Sequence, residues 1–157
     1  MAKGLIGIDN VMRNVNREMM KIKGRSIKGL IKAAIVIRRD MDKTPPLIPV
    51  DLGNLRASFY IVTATAIPET GGNFKGGEAG MFSDHKAAIS SSQSKASSAG
   101  HPVVILGFSA NYARAVEESK RFKKGKRPQS GPRFFERALD RNKNIIVQIV
   151  ATEARRS

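Results

Sequence analysis

The chain has no cysteine among its 157 residues and only two histidines, His85 and His101. The absence of cysteine excludes disulfides and thiolate metal sites. A metal site needs several His, Cys or carboxylate ligands at close spacing, and the neighbouring pair Asp84 and His85 does not meet that need. We therefore predict no metal or other cofactor, and we expect His85 to be a solvated loop residue.

Recognisable catalytic patterns are also missing. Both histidines fall in or beside a stretch rich in glycine and serine, which would hold an acid–base pair in poor order. The pairs Gly71-Gly72 and Gly76-Gly77 do not match a phosphate-binding loop, and Gly125-Lys126 lacks the Ser or Thr that should follow. These gaps predict a protein that is not an enzyme.

Long apolar runs are absent, since none reaches the roughly 18 residues that a membrane-spanning helix needs. The first six residues also lack the apolar core of a secretory signal. We expect a soluble protein made inside the cell, with no membrane partner.

Acidic residues are scarce: 13 Asp and Glu face 28 Lys and Arg, giving a net charge of +15 and a pI near 10.7. Such a balance indicates an anionic partner or a crowded assembly, although excess cations can also simply solvate a surface. The densest basic segment is a predicted loop that faces DNA phosphates or an acidic partner, or else only solvent. Its cationic residues are Lys120, Arg121, Lys123, Lys124, Lys126 and Arg127.

Apolar spacing predicts an α+β fold: a small antiparallel sheet flanked by three helices. Residues 8–43 have helical spacing with a slip near Gly24, and the helix ends before Pro45 and Pro46. Residues 58–67 and 102–108 are predicted strands, the second apolar throughout and therefore central in the sheet. A short helix at 111–119 and a final helix from Pro132 to about residue 154 complete a single domain, 1–157.

Residues 68–101 are predicted to be a long flexible loop inserted between the two strands, because glycine and serine dominate them. Four apolar residues interrupt this composition and predict that part of the loop orders only against a neighbouring subunit. An inert flexible insertion is the alternative. The four subunit-contact residues are Phe74, Met81, Phe82 and Ile89.

The segment 44–58, TPPLIPVDLGNLRAS, is predicted to form a structural turn between helix and sheet, with Asp51 as the cap of a short helical turn. The turn residues are Asp51, Gly53, Asn54, Leu55, Arg56 and Ser58. Further along, Glu117 and Glu118 lie near the end of a short helix, where its dipole disfavours them. We expect the adjacent Lys120 and Arg121 to offset their charge.

Seven short motifs follow one another along the chain. They are Thr44-Pro45, Asp51 to Ser58, Gly107-Phe108, Tyr112-Ala113, Val116-Glu117, Gly131-Pro132 and Phe134-Phe135. In this order the chain resembles the HK97 gp10-like family of bacteriophage neck and tail-completion proteins, over most of its length except 68–101. It departs from the usual pattern at Leu52, where Thr is common, and in its unusually basic loop after Glu117.

The resemblance implies a non-enzymatic virion protein that forms a ring, commonly sixfold, at the head–tail junction. Its expected partners are copies of itself, the connector or stopper, the tail tube and the genomic DNA in the channel. It would be assembled in the host cytoplasm and function in the virion as a neck, tail-completion or tail-terminator protein. The alternative, from charge alone, is a sequence-independent nucleic-acid-binding protein.

Overall fold

The computed structural model describes residues 3–50, 53–76, 78–119 and 127–156, with the backbone alone described for 3–10 and 78–82. Within this part of the chain the fold is α+β, as predicted, with five helices and one three-stranded antiparallel sheet. The elements are α1 (Lys3–Lys43), α2 (Asn54–Ala57), β1 (Phe59–Val62), β2 (Glu69–Thr70), α3 (Glu78–Ser98), β3 (Ile105–Phe108), α4 (Ala113–Glu117) and α5 (Phe134–Arg155).

Helix α1 is one unbroken helix of 41 residues. Its C-terminal half packs along α5, and Gly29 permits the close approach of the two helices. A Cβ at Gly29 would lie 2.9 Å from the Cα of Val150 and 3.2 Å from the Cβ of Glu153. The helix propensity lost at this glycine is therefore offset by tight helix–helix packing.

The sheet has the order β2–β1–β3, with β1 in the centre. The prediction that residues 102–108 form a central strand is wrong, because β3 lies at an edge. Its apolar run has another cause: Ile105 packs towards one hydrophobic cluster and Leu106 towards the other. In the register Tyr60 lies opposite Gly107, where a Cβ would meet the Tyr60 hydroxyl at 2.6 Å.

The first strand ends earlier than residue 67. After Val62 the side chain of Thr63 accepts a hydrogen bond from the Ala66 amide at 2.9 Å, and the Thr63 amide donates to the Ala66 carbonyl at 2.9 Å. This local turn replaces the sheet ladder, and the chain returns as the short strand β2.

The prediction of a flexible loop at 68–101 is also wrong, because residues 78–98 form the 21-residue helix α3. Its buried residues are His85, Ile89, Ser92 and Ala96, spaced four, three and four apart as one helical face requires. The serines do not disrupt it. The Ser94 and Ser98 hydroxyls donate to carbonyls four residues earlier, at 3.1 and 2.9 Å, and Ser92 meets the Tyr60 hydroxyl at 2.9 Å.

Two hydrophobic clusters lie on opposite faces of the sheet. The larger joins α1, α5 and the segment between α1 and β1, and its buried members are Ile37, Met41, Ile48, Leu55, Phe134 and Ala138. The smaller lies under α3 and consists of Tyr60, Val62 and Ile89. The body therefore has three layers, with the sheet between α3 and the α1–α5 pair.

Candidate functional site

The segment before β1 forms a tight turn held by its own side chains. Gly53 adopts φ 91°, in the left-handed region that glycine tolerates best. The Asn54 side chain donates to the Lys75 carbonyl at 2.9 Å and accepts from the Lys75 amide at 2.8 Å. The Ser58 hydroxyl donates to the Leu55 carbonyl at 2.8 Å. The predicted cap Asp51 lies outside the described residues.

Asp42, at the end of α1, is surrounded by arginines from three segments. Arg38 donates to its carboxylate at 2.5 Å, Arg56 at 2.9 and 3.2 Å, and Arg127 at 3.3 Å. Burial would raise the pKa of Asp42. Hydrogen bonds and charge from Arg56 and Arg38 outweigh that effect and hold the pKa below its ordinary value of 3.8.

The sequence predicts that Arg127 faces DNA phosphates, an acidic partner or solvent, and the structure corrects this for Arg127. Its guanidinium lies against Asp42 and the Ile48 carbonyl, with 22% of the side chain exposed. The physical reason is the nearby carboxylate, which offers a planar group a partner at low desolvation cost. The other five cations of the run, Lys120, Arg121, Lys123, Lys124 and Lys126, lie outside the described residues.

Glu117 caps the start of α5. Its two carboxylate oxygens accept hydrogen bonds from the Phe135 and Glu136 amides at 3.2 and 2.9 Å. The exposed N–H groups of a helix start carry partial positive charge, so they offset the negative charge of Glu117 at the end of α4. The basic neighbours expected to offset this charge, Lys120 and Arg121, lie outside the described residues. Glu118 pairs with Arg114 at 2.9 Å.

His85 is 3% exposed and is not the solvated loop residue that the sequence predicted. Its Nε2 lies 2.8 Å from the Thr70 hydroxyl and its Nδ1 lies 2.7 Å from the Ser109 hydroxyl. Burial lowers the pKa of His85 from its ordinary value of 6.5. The neutral ring therefore joins α3 to β2 and to the end of β3.

Two residues predicted to contact a neighbouring subunit are buried within the body instead. Phe74 packs edge-on to the His85 ring, with 5.5 Å between centroids, and Ile89 belongs to the cluster beneath α3. They are buried because α3 forms, which the loop prediction excluded. The side chains of Met81 and Phe82 lie outside the described residues.

The His85–Ser109 contact is the described arrangement nearest to a nucleophile–base pair, yet its geometry does not favour catalysis. Both ring nitrogens are already engaged, and the ring is buried. The adjoining cavity, lined by Asn54, Asp84, Ser109 and Tyr112 among others, has a volume near 60 Å³. Small-molecule sites usually have ~300 Å³ or more. Across the described residues, no three His, Asp or Glu side chains form a metal-binding group.

The most unusual surface is the N-terminal half of α1. Residues 11–24, here called the arm, are all exposed, although the arm carries large apolar side chains. At ~1.5 Å per residue the arm is about 20 Å long. Its exposed apolar residues are Val11, Met12, Val15, Met19, Met20 and Ile22. Its cations are Arg13, Arg17, Lys21 and Lys23.

A second apolar surface lies on the body, between α1, the outer edge of β3 and α5. It is an open groove of about 350 Å³, here called the apolar groove. Among the side chains that the structure describes, no charged one lines it. Its lining is Leu30, Ala33, Ala34 and Ile37 from α1, Val104, Ile105 and Leu106 at β3, and Phe135, Leu139 and Ile146 from α5.

No helix in the described ranges is both long and apolar enough to cross a membrane. Comparison of the chain with protein-family models, with curated proteins and with solved structures found no match. The resemblance to the phage family therefore depends on the motif residues alone. Where those motifs are described, they form the turn, the Tyr60–Gly107 contact, the Glu117 cap and the Phe108–Phe134 and Phe108–Phe135 ring contacts.

Proposed function

We propose that this chain is a non-enzymatic structural protein of the bacteriophage head–tail junction, of the neck, tail-completion or tail-terminator type. It acts by assembling with copies of itself into a ring, sixfold by the resemblance, through which the genomic DNA passes. Its other partners are the connector or stopper and the tail tube. Its location is the virion, after assembly in the host cytoplasm.

The observation that carries this proposal is the arm. Six large apolar side chains in fourteen successive residues are exposed, several of them more than half. Monomeric proteins rarely leave such a contiguous apolar surface bare, and a patch of this kind marks an interaction site. A protein whose largest unexplained feature is a bare helix beside an apolar groove is suited to assembly.

The motif residues support a structural role in a second way. The Asn54, Glu117 and Ser58 side chains bond to backbone groups of their own chain, and Phe108 packs on Phe134. Side chains bonded to the backbone in this way stabilise the fold, and these bonds occupy polar groups that a substrate would otherwise contact. Charge fits the same role, because +15 suits a channel for DNA or acidic virion neighbours.

The test is reconstitution of particles. Heads and tails from a phage that lacks this chain should remain unjoined, and adding the purified protein should restore joined, infectious particles. Electron microscopy of those particles should then locate the protein at the junction. Joining that needs no added protein, or purified virions that never contain it, would contradict the proposal.

The second candidate is a sequence-independent nucleic-acid-binding protein, favoured by the cationic side chains of the arm. Such a protein should shift duplex DNA as a free monomer or dimer, with an affinity that falls steeply with salt. A gel-shift series over salt concentration measures this. Tight, salt-sensitive binding by a protein that has no effect on particle joining would favour this candidate over the first.

A further inference from the structure

We propose that the arm of one copy docks in the apolar groove of a second copy. This inference deepens the assembly role proposed above and names the contact that builds it. Both surfaces belong to this chain and both are apolar. The arm is exposed throughout, and the groove is open, with Leu139 38% exposed at its wall and Ala33, Ala34 and Ile37 buried at its base.

The apolar residues of the arm form a stripe along one side of the helix. Met12, Val15, Met19 and Ile22 are spaced three and four apart, as one face of a helix requires. Val11 borders this stripe, whereas Met20 lies off it, about 100° round the helix from Met19. From here on, the stripe means Met12, Val15, Met19 and Ile22.

The stripe continues an interface that already exists in the body. Going along α1 in steps of three or four, it leads to Gly29 and Ala33, which are buried. Gly29 lies against Val150 of α5. Helix α5 ends at Arg155, and the Arg156 carbonyl accepts a hydrogen bond from Arg25 at that point. On the N-terminal side of Arg25, no described helix covers this face of α1.

The arm cannot reach its own groove. One wall of the groove is Leu30, Ala33, Ala34 and Ile37, which belong to the same unbroken helix as the arm. A straight helix leads away from its own later turns, and folding it back would break the backbone hydrogen bonds near Gly24. An arm that docks in the groove must therefore come from another molecule.

Charge favours the groove over a second arm as the partner. Residues 11–24 carry Arg13, Arg17, Lys21 and Lys23 but only one acid, Glu18, so two paired arms would place like charges side by side. Among the described residues the groove has no charged lining, and along α5 beside it the acids Glu136 and Asp140 alternate with the cations Arg137 and Arg141. An arm in the groove therefore meets nearly balanced charge, whereas a second arm would present four cations and one acid.

Because arm and groove are different surfaces, the contact is heterologous. Each copy offers its arm to one neighbour and its groove to another, and repetition gives a ring when the rotation closes. Two copies that exchange arms reciprocally would use the same contact in a closed dimer.

Cysteine cross-linking tests the contact directly, because the natural chain has no cysteine. Met19→Cys and Leu139→Cys are made in separate full-length chains, mixed, dissociated and reassembled before oxidation. We expect an inter-chain disulfide in the mixture. Arg17→Cys, on the opposite face of the arm, is the matched control and should give only background yield with Leu139→Cys. Equal yields for the two mixtures, or a Met19→Cys chain that links chiefly to itself, would overturn the proposal.

A matched pair of neighbouring methionines gives the second measurement. Met19→Glu places a charge in the stripe and should weaken self-association at least about tenfold, as loss of a central interface residue does. Met20→Glu, off the stripe, should change it by less than about threefold. Light scattering across a concentration series measures both, and equal effects would contradict the assignment.

The two proposals can fail separately. Rings that join heads to tails without the Met19–Leu139 cross-link would leave the junction role standing and remove the docking contact. If the cross-link forms in a protein that never enters particles, the docking contact stands and the junction role is contradicted. A wild-type chain that stays monomeric at every concentration tested would overturn the docking proposal.

Discussion

The two halves of α1 differ in what covers them, although their sequence patterns are alike. In the C-terminal half Ala33, Ile37 and Met41 are buried against α5 and the larger cluster. In the arm, Met12, Val15 and Met19 also recur three or four residues apart, but they are about half exposed. The hydrophobic effect acts on both halves, so the covered half stabilises the fold and the bare half is left to drive association.

The largest predicted difference between the halves concerns two methionines. Met41 is fully buried and Met12 is 55% exposed. Met41→Ala should lower the free energy of unfolding by about 2–5 kcal/mol through lost burial and a cavity. Met12→Ala should change it by less than about 0.5 kcal/mol. Urea unfolding at a concentration where the protein is monomeric measures both, and similar costs would remove the distinction between the halves.

Replacing each of two glycines in α1 by alanine should change the free energy of unfolding in opposite directions. Gly29→Ala puts a methyl group against Val150 and should cost about 1–3 kcal/mol by forcing α1 and α5 apart. Nothing lies within 4 Å of a Cβ at Gly24, so Gly24→Ala should stabilise the helix by up to ~1 kcal/mol. Thermal unfolding followed by circular dichroism measures both. A stabilising Gly29→Ala would show that the two helices do not pack as closely as described.

The smallest contrast is in pH dependence. The pKa of Asp42 is lowered in the folded state, so below about pH 4 the unfolded chain binds more protons there. The contribution of Asp42 to the free energy of unfolding is present above that pH and is lost as the pH falls towards the pKa in the folded state. Asp42→Asn should flatten the acid limb of the stability curve. The pKa of exposed Glu18 is also lowered, chiefly by its hydrogen bond with Lys21.

Glu18 on the arm is the control for Asp42, because its partner Lys21 is exposed as well. Glu18→Gln should flatten the slope of stability against pH much less than Asp42→Asn does, because solvent screens the exposed pair. Unfolding in urea at several pH values below about 5 measures both variants. An unchanged slope for Asp42→Asn would mean that the three arginines do not hold this carboxylate.

Some of the fold could be predicted because the relevant signals are local. The apolar spacing of α1 and α5, the prolines after Lys43 and the aromatic and β-branched residues of β1 are each signals carried by a few neighbouring residues. Helix α3 was missed because its composition resembles a linker. The usable signal was the spacing of His85, Ile89, Ser92 and Ala96, which is helical although two of the four residues are polar.

The candidate surface could be predicted only in part. Helical spacing of apolar residues is the same whether the partner is α5 or another molecule, so the sequence does not reveal how far along α1 the contact with α5 extends. The Glu117 cap joins residues 18 apart in the chain and the Arg127–Asp42 pair joins residues 85 apart, and such contacts depend on the tertiary fold. The charge of the segment predicted that Arg127 lies on a binding face, whereas the ion pair with Asp42, 85 residues earlier in the chain, determines its position.

Amide hydrogen exchange of the arm during assembly tests the central claim most directly. In the dissociated protein, the amides of residues 11–24 should exchange much faster than those of residues 29–41. On assembly, protection should rise in the arm and, at the same time, around Val104, Leu106 and Leu139 in the groove. An assembled particle in which the arm exchanges as fast as in the free chain would contradict the claim that this bare helix is the surface by which the protein assembles.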